Sequence, residues 1–412
     1  MTSEPRWSRR EFVAQTTAGL AAVGTVGNVH RDGPQAQDPR SPDAEFLKAP
    51  IEELPTPALM IDLDLFERNL KTMQEACRSH NGKYRPHGKA HKSAIIGRMQ
   101  LAAGAGGLCA AKLGEAEVFV RGGIKDVLIT TAVVGRRKIQ RLLALAEMAP
   151  DIKVVADSTR NLDELHSAAV LAKRTLTVLV DVNVGQNRTG VDTPSDAVAV
   201  AQHLAKLSSL KLGGIQAYAG MNMHVVGFQN RRDASMLALD RALAARSALE
   251  KAGFAVPILS AGGTGTYNID LKVPGVTEIQ PGSYIFMDTH YRAIGGEQTE
   301  TFNDFGTSLS VLTTVISRAR GRAITDGGNK ALSTDESMPV PKGLTGIDYR
   351  PGGDEHGILV LKNPNRDLQV GEKVEFLPGH CDTTVNLHNV FFGVRNGVVE
   401  SVWPVEARGR VD

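Results

Sequence analysis

A basic segment around residue 89 could do chemistry on an aldehyde. Residues 85–92 read RPHGKAHK, and Lys89 stands at the end of a short apolar run that is typical of a buried strand. Burial disfavours the charged form of an amine, so we expect Lys89 to have a lowered pKa. A neutral lysine amine forms Schiff bases with carbonyl compounds. Taken alone, the segment reads more readily as a solvated basic loop.

A glycine-rich turn further along the chain is suited to a phosphate group. Residues 260–266 read SAGGTGT, so Gly263, Thr264 and Gly265 combine close backbone approach with a hydroxyl donor. The turn lacks the lysine of a Walker motif and the full spacing of a dinucleotide fingerprint. A lysine that can hold an aldehyde and a turn that can hold a phosphate together predict one ligand, pyridoxal 5′-phosphate (PLP).

Other side chains at predicted strand ends could complete such a site. Arg188, on a loop with flanking glycines, is suited to an anionic oxygen, and pairing with Asp181 is an equal alternative. Tyr218 could pack against a flat ring, and His224 could act as a base near neutral pH. Taken alone, His224 would more often be a surface residue. Four further candidates follow the last predicted strand of this series: Gln280, Gly282, Ser283 and Tyr284.

A His-Cys-Asp triplet late in the chain could bind a metal ion. In an extended segment, His380 and Asp382 project to one side while Cys381 points away. An imidazole and a carboxylate suit a borderline or hard divalent ion, with water in the other positions. A capped turn is the alternative, since two ligands are weak evidence by themselves.

The elements that must position these residues alternate regularly. Short apolar runs separated by helix-period segments predict parallel βαβ units. Eight such units in about 240 residues fit a (β/α)8 barrel better than an open, doubly wound sheet. The carboxyl ends of barrel strands meet on one rim, where the candidate residues fall. The eight runs are 84–89, 107–111, 126–131, 152–156, 176–182, 212–217, 257–261 and 276–280.

The chain changes character after residue 307, where short strand-like runs predict a C-terminal antiparallel β domain without a convincing helix. We therefore divide the chain into residues 1–45, a PLP-binding barrel over 46–300, and a β domain over 301–412 that carries the metal site. A loop over 333–353, rich in Pro and Gly, is expected to border the site. The runs of this β domain are 309–318, 322–325, 357–361, 373–377, 389–394 and 398–403.

The composition excludes several classes of protein. A formal charge of +2, from 47 Lys+Arg and 45 Asp+Glu, gives no electrostatic case for binding nucleic acid or a membrane surface. Three cysteines exclude a disulfide scaffold. No apolar run reaches the roughly 18 residues that span a bilayer. We expect a small-molecule substrate.

The first 45 residues read as an export signal. Arg9 and Arg10 precede a weakly apolar stretch, which is typical of a twin-arginine signal and predicts a periplasmic location. No clear cleavage site follows. A frayed, charged N-terminus is the alternative, and the protein would then be cytoplasmic.

Together, these motifs resemble those of the D-threonine aldolase and D-serine dehydratase family, which are fold-type III PLP enzymes related to alanine racemase. The resemblance implies that Lys89 bonds the cofactor aldehyde and that Arg188 contacts its phenolic oxygen. It also implies that residues 263–265 and 282–284 hold the phosphate, and that the β domain of one chain completes the other chain's site in a homodimer. The motifs are RPHxKxHK at 85–92, NRTG at 187–190, GGT at 262–264 and PGSY at 281–284.

The same resemblance bears on the reaction. Members with His-x-Cys at the metal pair bind zinc and act as dehydratases, whereas His-x-Asp resembles the aldolases, which use manganese, magnesium or similar ions. Asp382 therefore implies cleavage of D-β-hydroxy-α-amino acids to glycine and an aldehyde, with His224 as the candidate base. A D-serine or 3-hydroxy-D-aspartate dehydratase is the main alternative. A metal-free racemase, a non-enzymatic PLP carrier and a secreted binding protein are the others.

Overall fold

Strands and helices alternate through the first part of the structure, as the apolar pattern predicts. The structure is a computed structural model that describes residues 42–412. Strand β1 (Ala58–Asp62) comes first, and eight strands follow: β2 (Lys83–Tyr84), β3 (Leu108–Ala110), β4 (Val127–Ile129), β5 (Lys153–Ala156), β6 (Leu176–Asp181), β7 (Leu210–Ala217), β8 (Ile258–Ala261) and β9 (Glu278–Ile279). These eight form one parallel sheet in the order β2, β9, β8, β7, β6, β5, β4, β3.

Helices connect most of these strands. The first begins where the Asp62 side chain accepts a hydrogen bond of 3.0 Å from the Leu65 amide, and it buries an apolar stripe that includes Phe66, Leu70 and Met73. The helices are α1 (Leu63–Ser79), α2 (Ala94–Ala102), α3 (Leu113–Arg121), α4 (Arg136–Met148), α5 (Thr159–Leu171), α6 (Pro194–Leu204), α7 (Phe228–Lys251), α8 (Tyr267–Asp270) and α9 (Thr289–Arg292).

The edges of the parallel sheet meet, so the sheet closes into a barrel. Beyond β2, the Pro86 carbonyl accepts a hydrogen bond of 2.8 Å from the Cys109 amide on β3. Alternate strand residues point inward and outward, and both sets are apolar. Cys109, Leu128, Val155 and Leu179 form one buried cluster, while their neighbours along the strands pack with the helices. The (β/α)8 barrel predicted from the sequence is confirmed.

A second, mostly antiparallel sheet follows the barrel. The elements of this part are β10 (Leu309–Ala319), β11 (Arg322–Thr325), β12 (Val340–Pro341), β13 (Ile347–Pro351), β14 (Gly357–Leu361), β15 (Lys373–Leu377), helix α10 (Cys381–Val385), β16 (Val390–Arg395) and β17 (Val398–Pro404). The strands of the sheet run in the order β13, β14, β11, β10, β1, β16, β17, and β15 pairs with both β10 and β12. The six predicted runs appear as strands, whereas β12, β13 and α10 were not predicted.

Strand β1 belongs to this second sheet, which corrects the assignment of residues 46–300 to the barrel alone. Its Leu59 pairs antiparallel with Val311, and its Met60 pairs parallel with Phe392. The reason is packing, because Met60 is buried in an apolar cluster with Leu312 and Phe392. The β1–β16 pair is also the exception to the predicted antiparallel pattern.

Three other predictions concern the chain as a whole. The export signal, with Arg9 and Arg10, lies outside the described residues and stays a prediction. Within residues 42–412, no helix combines the length and apolar character needed to cross a membrane. Cys77, Cys109 and Cys381 are buried and unpaired, as expected of a chain without a disulfide scaffold.

Candidate active site

Lys89 lies on the barrel rim, in a 3-10 turn (Gly88–Ala90) that begins four residues after the end of β2. Its Nζ is 3.6 Å from Oδ2 of Asp382, which comes from the β domain. Burial is the largest single effect and lowers the pKa of Lys89, but the negative charges that face the amine, first that of Asp382, together raise it by more, so the net shift is upward. The prediction of a lowered pKa was therefore wrong for the protein without ligands, because the sequence does not show which charge lies opposite the amine.

Most other basic groups of the 85–92 segment have structural partners. Arg85 forms a buried ion pair of 3.0 Å with Glu278 and another with Asp126. Lys92 pairs with Glu115 at 2.5 Å. The solvated-loop interpretation fails for this segment, because these side chains are buried inside the barrel wall. Lys89 is the half-exposed amine that remains at the rim.

The predicted phosphate turn lies after β8 and contacts the turn after β9. Oγ1 of Thr264 accepts a hydrogen bond of 3.0 Å from the Tyr284 amide, so the segments 263–265 and 282–284 form one cup. A Cβ on Gly265 would lie 2.0 Å from the carbonyl oxygen of Met223, so this position requires glycine. We call these two segments the phosphate cup.

Two of the predicted cofactor-binding side chains are engaged elsewhere. The Tyr284 ring is fully buried, and its hydroxyl accepts a hydrogen bond of 3.1 Å from Gln100. Tyr284 therefore contributes to the phosphate cup through its backbone amide, which donates to Thr264 and joins the two segments. The amide of Gln280 donates to Ser260 at 2.9 Å inside the barrel. Ser283, by contrast, reaches across to the β domain and donates to Asp382 at 3.3 Å.

Arg188 and Tyr218 lie together on the rim. The guanidinium carbon of Arg188 is 5.9 Å from the centre of the Tyr218 ring. The alternative pairing of Arg188 with Asp181 is not seen, because Asp181 accepts hydrogen bonds from Thr189 at 2.7 Å and Gln216 at 3.0 Å. Arg188 is exposed and keeps its charge available for an anionic oxygen.

His224 lies in the turn after β7 and stacks on a second histidine. Its ring is 4.0 Å from that of His290, with 6° between the ring planes, and 4.2 Å from that of Tyr291. Burial, together with the nearby His290 and His380, lowers the pKa of His224 to about 3. Its Nε2 is buried. His224 is therefore neutral near pH 7, and in the protein without ligands its ring is a weak base whose Nε2 has no hydrogen-bond partner among the described residues.

The metal candidates do not lie in an extended segment, which corrects that prediction. His380 is the residue before helix α10, and Asp382 is in its first turn. Because the backbone turns here, Cys381 is buried, and its thiol donates to Oδ1 of Asp382 at 3.4 Å. Five residues are too few to give a helical period, so the sequence carried no signal for α10.

Asp335 is a site residue that the sequence reasoning missed. Its carboxylate accepts a hydrogen bond of 2.9 Å from Nδ1 of His380, which leaves Nε2 of that ring for another ligand. Ligand atoms of Asp335, Glu336 and His380 all lie within 4.8 Å of one another. The signal that could have found Asp335 and Glu336 was their place in the 333–353 loop, which was expected to border the site.

His380 and Asp382 each favour the charged form of the other. Burial lowers the pKa of His380, but Asp382 and Asp335 raise it by more, so the net shift is upward. Burial raises the pKa of Asp382, but Lys89 and His380 lower it by more, so the net shift is downward. Asp382 is therefore a carboxylate at neutral pH, and a nitrogen ligand beside carboxylates suits a divalent ion.

A cavity of about 700 Å³ opens between the barrel rim and the β domain. Its size is typical of small-molecule sites, for which about 300–1,000 Å³ is usual. The lining includes Lys89, Lys112, Asp335 and Asp382, whereas Arg188, His224 and the phosphate cup do not border this cavity. PLP fits the residues present, since an amine, a permanent cation and a phosphate cup share this rim, and the buried Nε2 of His224 lacks a partner.

Comparison with known proteins identifies the family. The chain is 38% identical to a 3-hydroxy-D-aspartate aldolase of Paracoccus denitrificans (strain Pd 1222) over 87% of this chain and 93% of that protein. It is 37% identical to a D-threonine aldolase of Arthrobacter sp. over 87% of this chain and 94% of that protein. The chain belongs to the D-threonine aldolase and D-serine dehydratase family.

The barrel and the β domain each match a known domain family. The family described as "Alanine racemase, N-terminal domain" matches residues 61–290, and "Putative serine dehydratase domain" matches residues 308–394. The crystal structure of D-threonine aldolase from Filomicrobium marinum superposes with a TM-score of 0.85 at 39% identity, covering 89% of this chain and 99% of that one. The protein is thus a lyase of the fold-type III PLP enzymes.

Proposed function

We propose that the protein is a PLP- and divalent-metal-dependent aldolase that cleaves D-β-hydroxy-α-amino acids of the D-threonine type to glycine and an aldehyde. Relatives named as aldolases support this reaction class. The main support for this proposal is the residue at position 382. The family resemblance implies that aldolases have an aspartate there and dehydratases a cysteine, and this chain has Asp382. It lies 3.6 Å from the candidate cofactor lysine.

Different residues of the rim would bind different parts of PLP. Lys89 supplies the amine for the cofactor aldehyde, and Arg188 supplies a cation that never loses its charge. The phosphate cup supplies backbone and hydroxyl donors. When bound, PLP takes up the electron pair released as the Cα–Cβ bond breaks.

His224 is the residue proposed to take the proton from the substrate's β-hydroxyl group. It is neutral at working pH and has an unpartnered nitrogen. His380 and Asp382 would hold the divalent ion, whose chemistry there is to make a bound hydroxyl group more acidic. Asp335 holds the His380 ring in one orientation.

A product assay tests the proposal. The purified protein, loaded with PLP, is given D-threonine, D-phenylserine and 3-hydroxy-D-aspartate in separate reactions, each with Mn²⁺ and with EDTA. We expect glycine and an aldehyde in equal amounts, and only with Mn²⁺. Formation of a 2-oxo acid and ammonia instead would contradict the aldolase proposal.

A dehydratase of the same family is the second candidate, because the β domain matches the serine dehydratase family. The same assay separates the two, since dehydration releases ammonia and leaves no glycine. Conversion of D- to L-amino acids with EDTA present would instead identify a racemase. A protein that fails to bind PLP at all would contradict every enzyme of this class.

The Asp382→Ala variant tests directly whether Asp382 is needed for metal-dependent cleavage. We expect it to bind PLP covalently, with the visible absorbance of the wild type, and to lose metal-dependent cleavage. Glu355→Ala is a matched control, because Glu355 is an exposed carboxylate of the β domain paired only with Lys330 among the contacts described. Full Mn²⁺-dependent activity in Asp382→Ala would remove this residue from the metal site.

A further inference from the structure

Arg231 carries a buried charge that the proposed reaction does not use. It lies in the first turn of α7, and its side chain has 0% exposure, which makes it the largest fully buried side chain of the described residues. A buried charge is costly unless hydrogen bonds or an opposite charge compensate for it. The surroundings of Arg231 therefore need an explanation.

Hydrogen bonds to backbone carbonyl groups provide part of the compensation. Nε donates to the carbonyl of Gly265 at 2.7 Å, and Nη1 donates to those of Val225 and Ile294, each at 2.9 Å. Nη2 donates to the carbonyl of Gly295 at 2.8 Å. A guanidinium group has five N–H donors, so these four bonds use most of its capacity.

No hydrogen bond of Arg231 goes to a carboxylate among the described residues. The rings of Phe228 and Phe302 lie 5.8 and 5.6 Å from its guanidinium carbon. Asp304 is the acidic group whose charge acts on it, and that carboxylate accepts a hydrogen bond of 2.7 Å from Tyr267. The positive charge of Arg231 is thus incompletely balanced by the residues that the structure describes.

The four carbonyl groups belong to three loops of the active-site rim. Gly265 is part of the phosphate cup, and Val225 follows the candidate base His224. Ile294 and Gly295 follow α9, which carries His290. One side chain therefore connects the phosphate cup to the turn that contains His224 and to the loop that follows α9.

We propose that Arg231 is a positioning residue for the phosphate cup, and that its buried charge makes the cup selective for a dianionic phosphate. The Nε–H bond polarises the peptide group that joins Gly265 to Thr266, which strengthens the N–H donor of Thr266 beside the cup. A dianion in the cup supplies the opposite charge that Arg231 lacks, and this attraction is strong where water is excluded. The proposal depends on the proposed binding of PLP.

The test compares PLP with pyridoxal, which has the same aldehyde but no phosphate. Apoprotein is titrated with each ligand, and the dissociation constants are measured from the visible absorbance of the Lys89 adduct. We expect Arg231→Met to weaken PLP by about 100-fold while pyridoxal changes little. Arg231→Lys, which keeps the charge but loses the planar fork, should fall between the wild type and Arg231→Met. Arg232→Met is the matched control, because Arg232 is the exposed neighbour.

A purely structural role predicts a different result. If Arg231 only holds the loops, the variants weaken PLP and pyridoxal equally, and that outcome overturns the proposal. Unchanged binding of both ligands also overturns it. If even the wild type binds neither ligand, the proposed function fails, which is distinct from failure of this inference.

A measurement on the wild type applies if Arg231→Met does not fold. The ³¹P resonance of bound PLP is followed from about pH 5.5 to about pH 8, where a free phosphate monoester titrates with a pKa near 6. A cup with a cation behind it keeps the phosphate dianionic, so the chemical shift is expected to stay constant. A titration near the free value would overturn the proposal.

Discussion

At the scale of single residues, Asp335 orients a candidate metal ligand, His380. Its carboxylate fixes the His380 ring through Nδ1 at 2.9 Å. Partners of this kind are usually worth about 10- to 100-fold in metal affinity. We therefore expect Asp335→Ala to weaken Mn²⁺ binding by about that factor and to leave PLP binding unchanged. Titration of Mn²⁺ followed by electron paramagnetic resonance measures the affinity.

The Asp335→Asn variant separates orientation from direct ligation. An asparagine carbonyl still accepts a hydrogen bond from Nδ1 of His380, but it is a poorer ligand for a divalent ion than a carboxylate. If Asp335 acts by orienting the ring, Asp335→Asn keeps most of the affinity that Asp335→Ala loses. Equal losses in the two variants would instead make Asp335 a metal ligand, as its place beside Glu336 and His380 also allows.

Asp382 should also control when Lys89 can react with an aldehyde. Its charge is the main cause that raises the pKa of Lys89 against the effect of burial. An amine must be neutral to attack a carbonyl group, so the raised pKa moves the reaction to higher pH. We expect Asp382→Asn to shift the pH at which metal-free apoprotein bonds PLP at half its maximal rate downward. Stopped-flow absorbance gives this midpoint, with Asp348→Asn, an exposed carboxylate variant, as control.

An unchanged midpoint in Asp382→Asn would contradict this account of the amine. A shift to higher pH would mean that, without the carboxylate charge of Asp382, burial no longer dominates the pKa of Lys89.

At the scale of elements, the short helix α8 stabilises the phosphate cup through a carboxyl group. Asp270 at its end accepts hydrogen bonds of 2.5 Å from Ser235 on α7 and from Thr266 beside the cup. Burial raises the pKa of Asp270 to about 6, despite these two bonds. A raised carboxyl pKa stabilises the fold at low pH, and the contribution is lost as pH rises through the folded pKa.

Asp270→Asn tests this element, because asparagine stays neutral at every pH. The free energy of unfolding of the wild type, relative to Asp270→Asn, is expected to fall by about 1.5 kcal/mol between pH 5 and pH 8. Urea unfolding at the two pH values measures the difference, and Asp240→Asn, an exposed substitution on α7, is the control. If the free energies of unfolding of the wild type and Asp270→Asn change equally between these pH values, the Asp270 carboxyl group does not titrate near pH 6.

The barrel strands could be predicted from sequence because their signal is strong and local. Strands buried on both faces are continuously apolar, as in β5 and β6, and they alternate with helices of clear period. The strands β12 and β13 gave little signal, since they lie in a loop rich in proline and glycine. The sheet to which strand β1 belongs could not be predicted, because its pairing with Val311 and Phe392 depends on distant segments.

The candidate site divides in the same way. Lys89 and the glycines of the phosphate cup belong to compact motifs, so the sequence indicates them. Asp335 is 45 residues from His380, and nothing local relates the two. His290 likewise becomes notable only because the fold stacks it on His224. Arg231 is one of many arginines in the sequence until its burial is known.

At the scale of the whole molecule, the site combines the barrel and the β domain of one chain. Residues 46–412 form one compact unit, and Asp382 of the β domain lies 3.6 Å from Lys89 of the same chain. The resemblance implies a homodimer in which the β domain completes the partner's site. The structure indicates that, for Asp382, the contribution is made within the chain.

Hybrid dimers distinguish these two arrangements. Chains with different affinity tags are coexpressed, and dimers that carry both tags are purified. If Lys89 and Asp382 act within one chain, a dimer of Lys89→Ala with Asp382→Ala has no complete site and is inactive. If they act across the dimer, the same hybrid has one complete site and about half of the wild-type activity.

The reciprocal hybrid makes the result independent of poor folding. A wild-type chain paired with the double variant Lys89→Ala, Asp382→Ala keeps one complete site, and about half the activity, only if the two residues act within one chain. Across the dimer, that hybrid has no complete site. An inactive first hybrid with a half-active second one is therefore the expected pair of results, and the reverse pair would place Asp382 in the partner's site. If no doubly tagged dimer can be captured, the homodimer is contradicted, and the two residues then act within one chain.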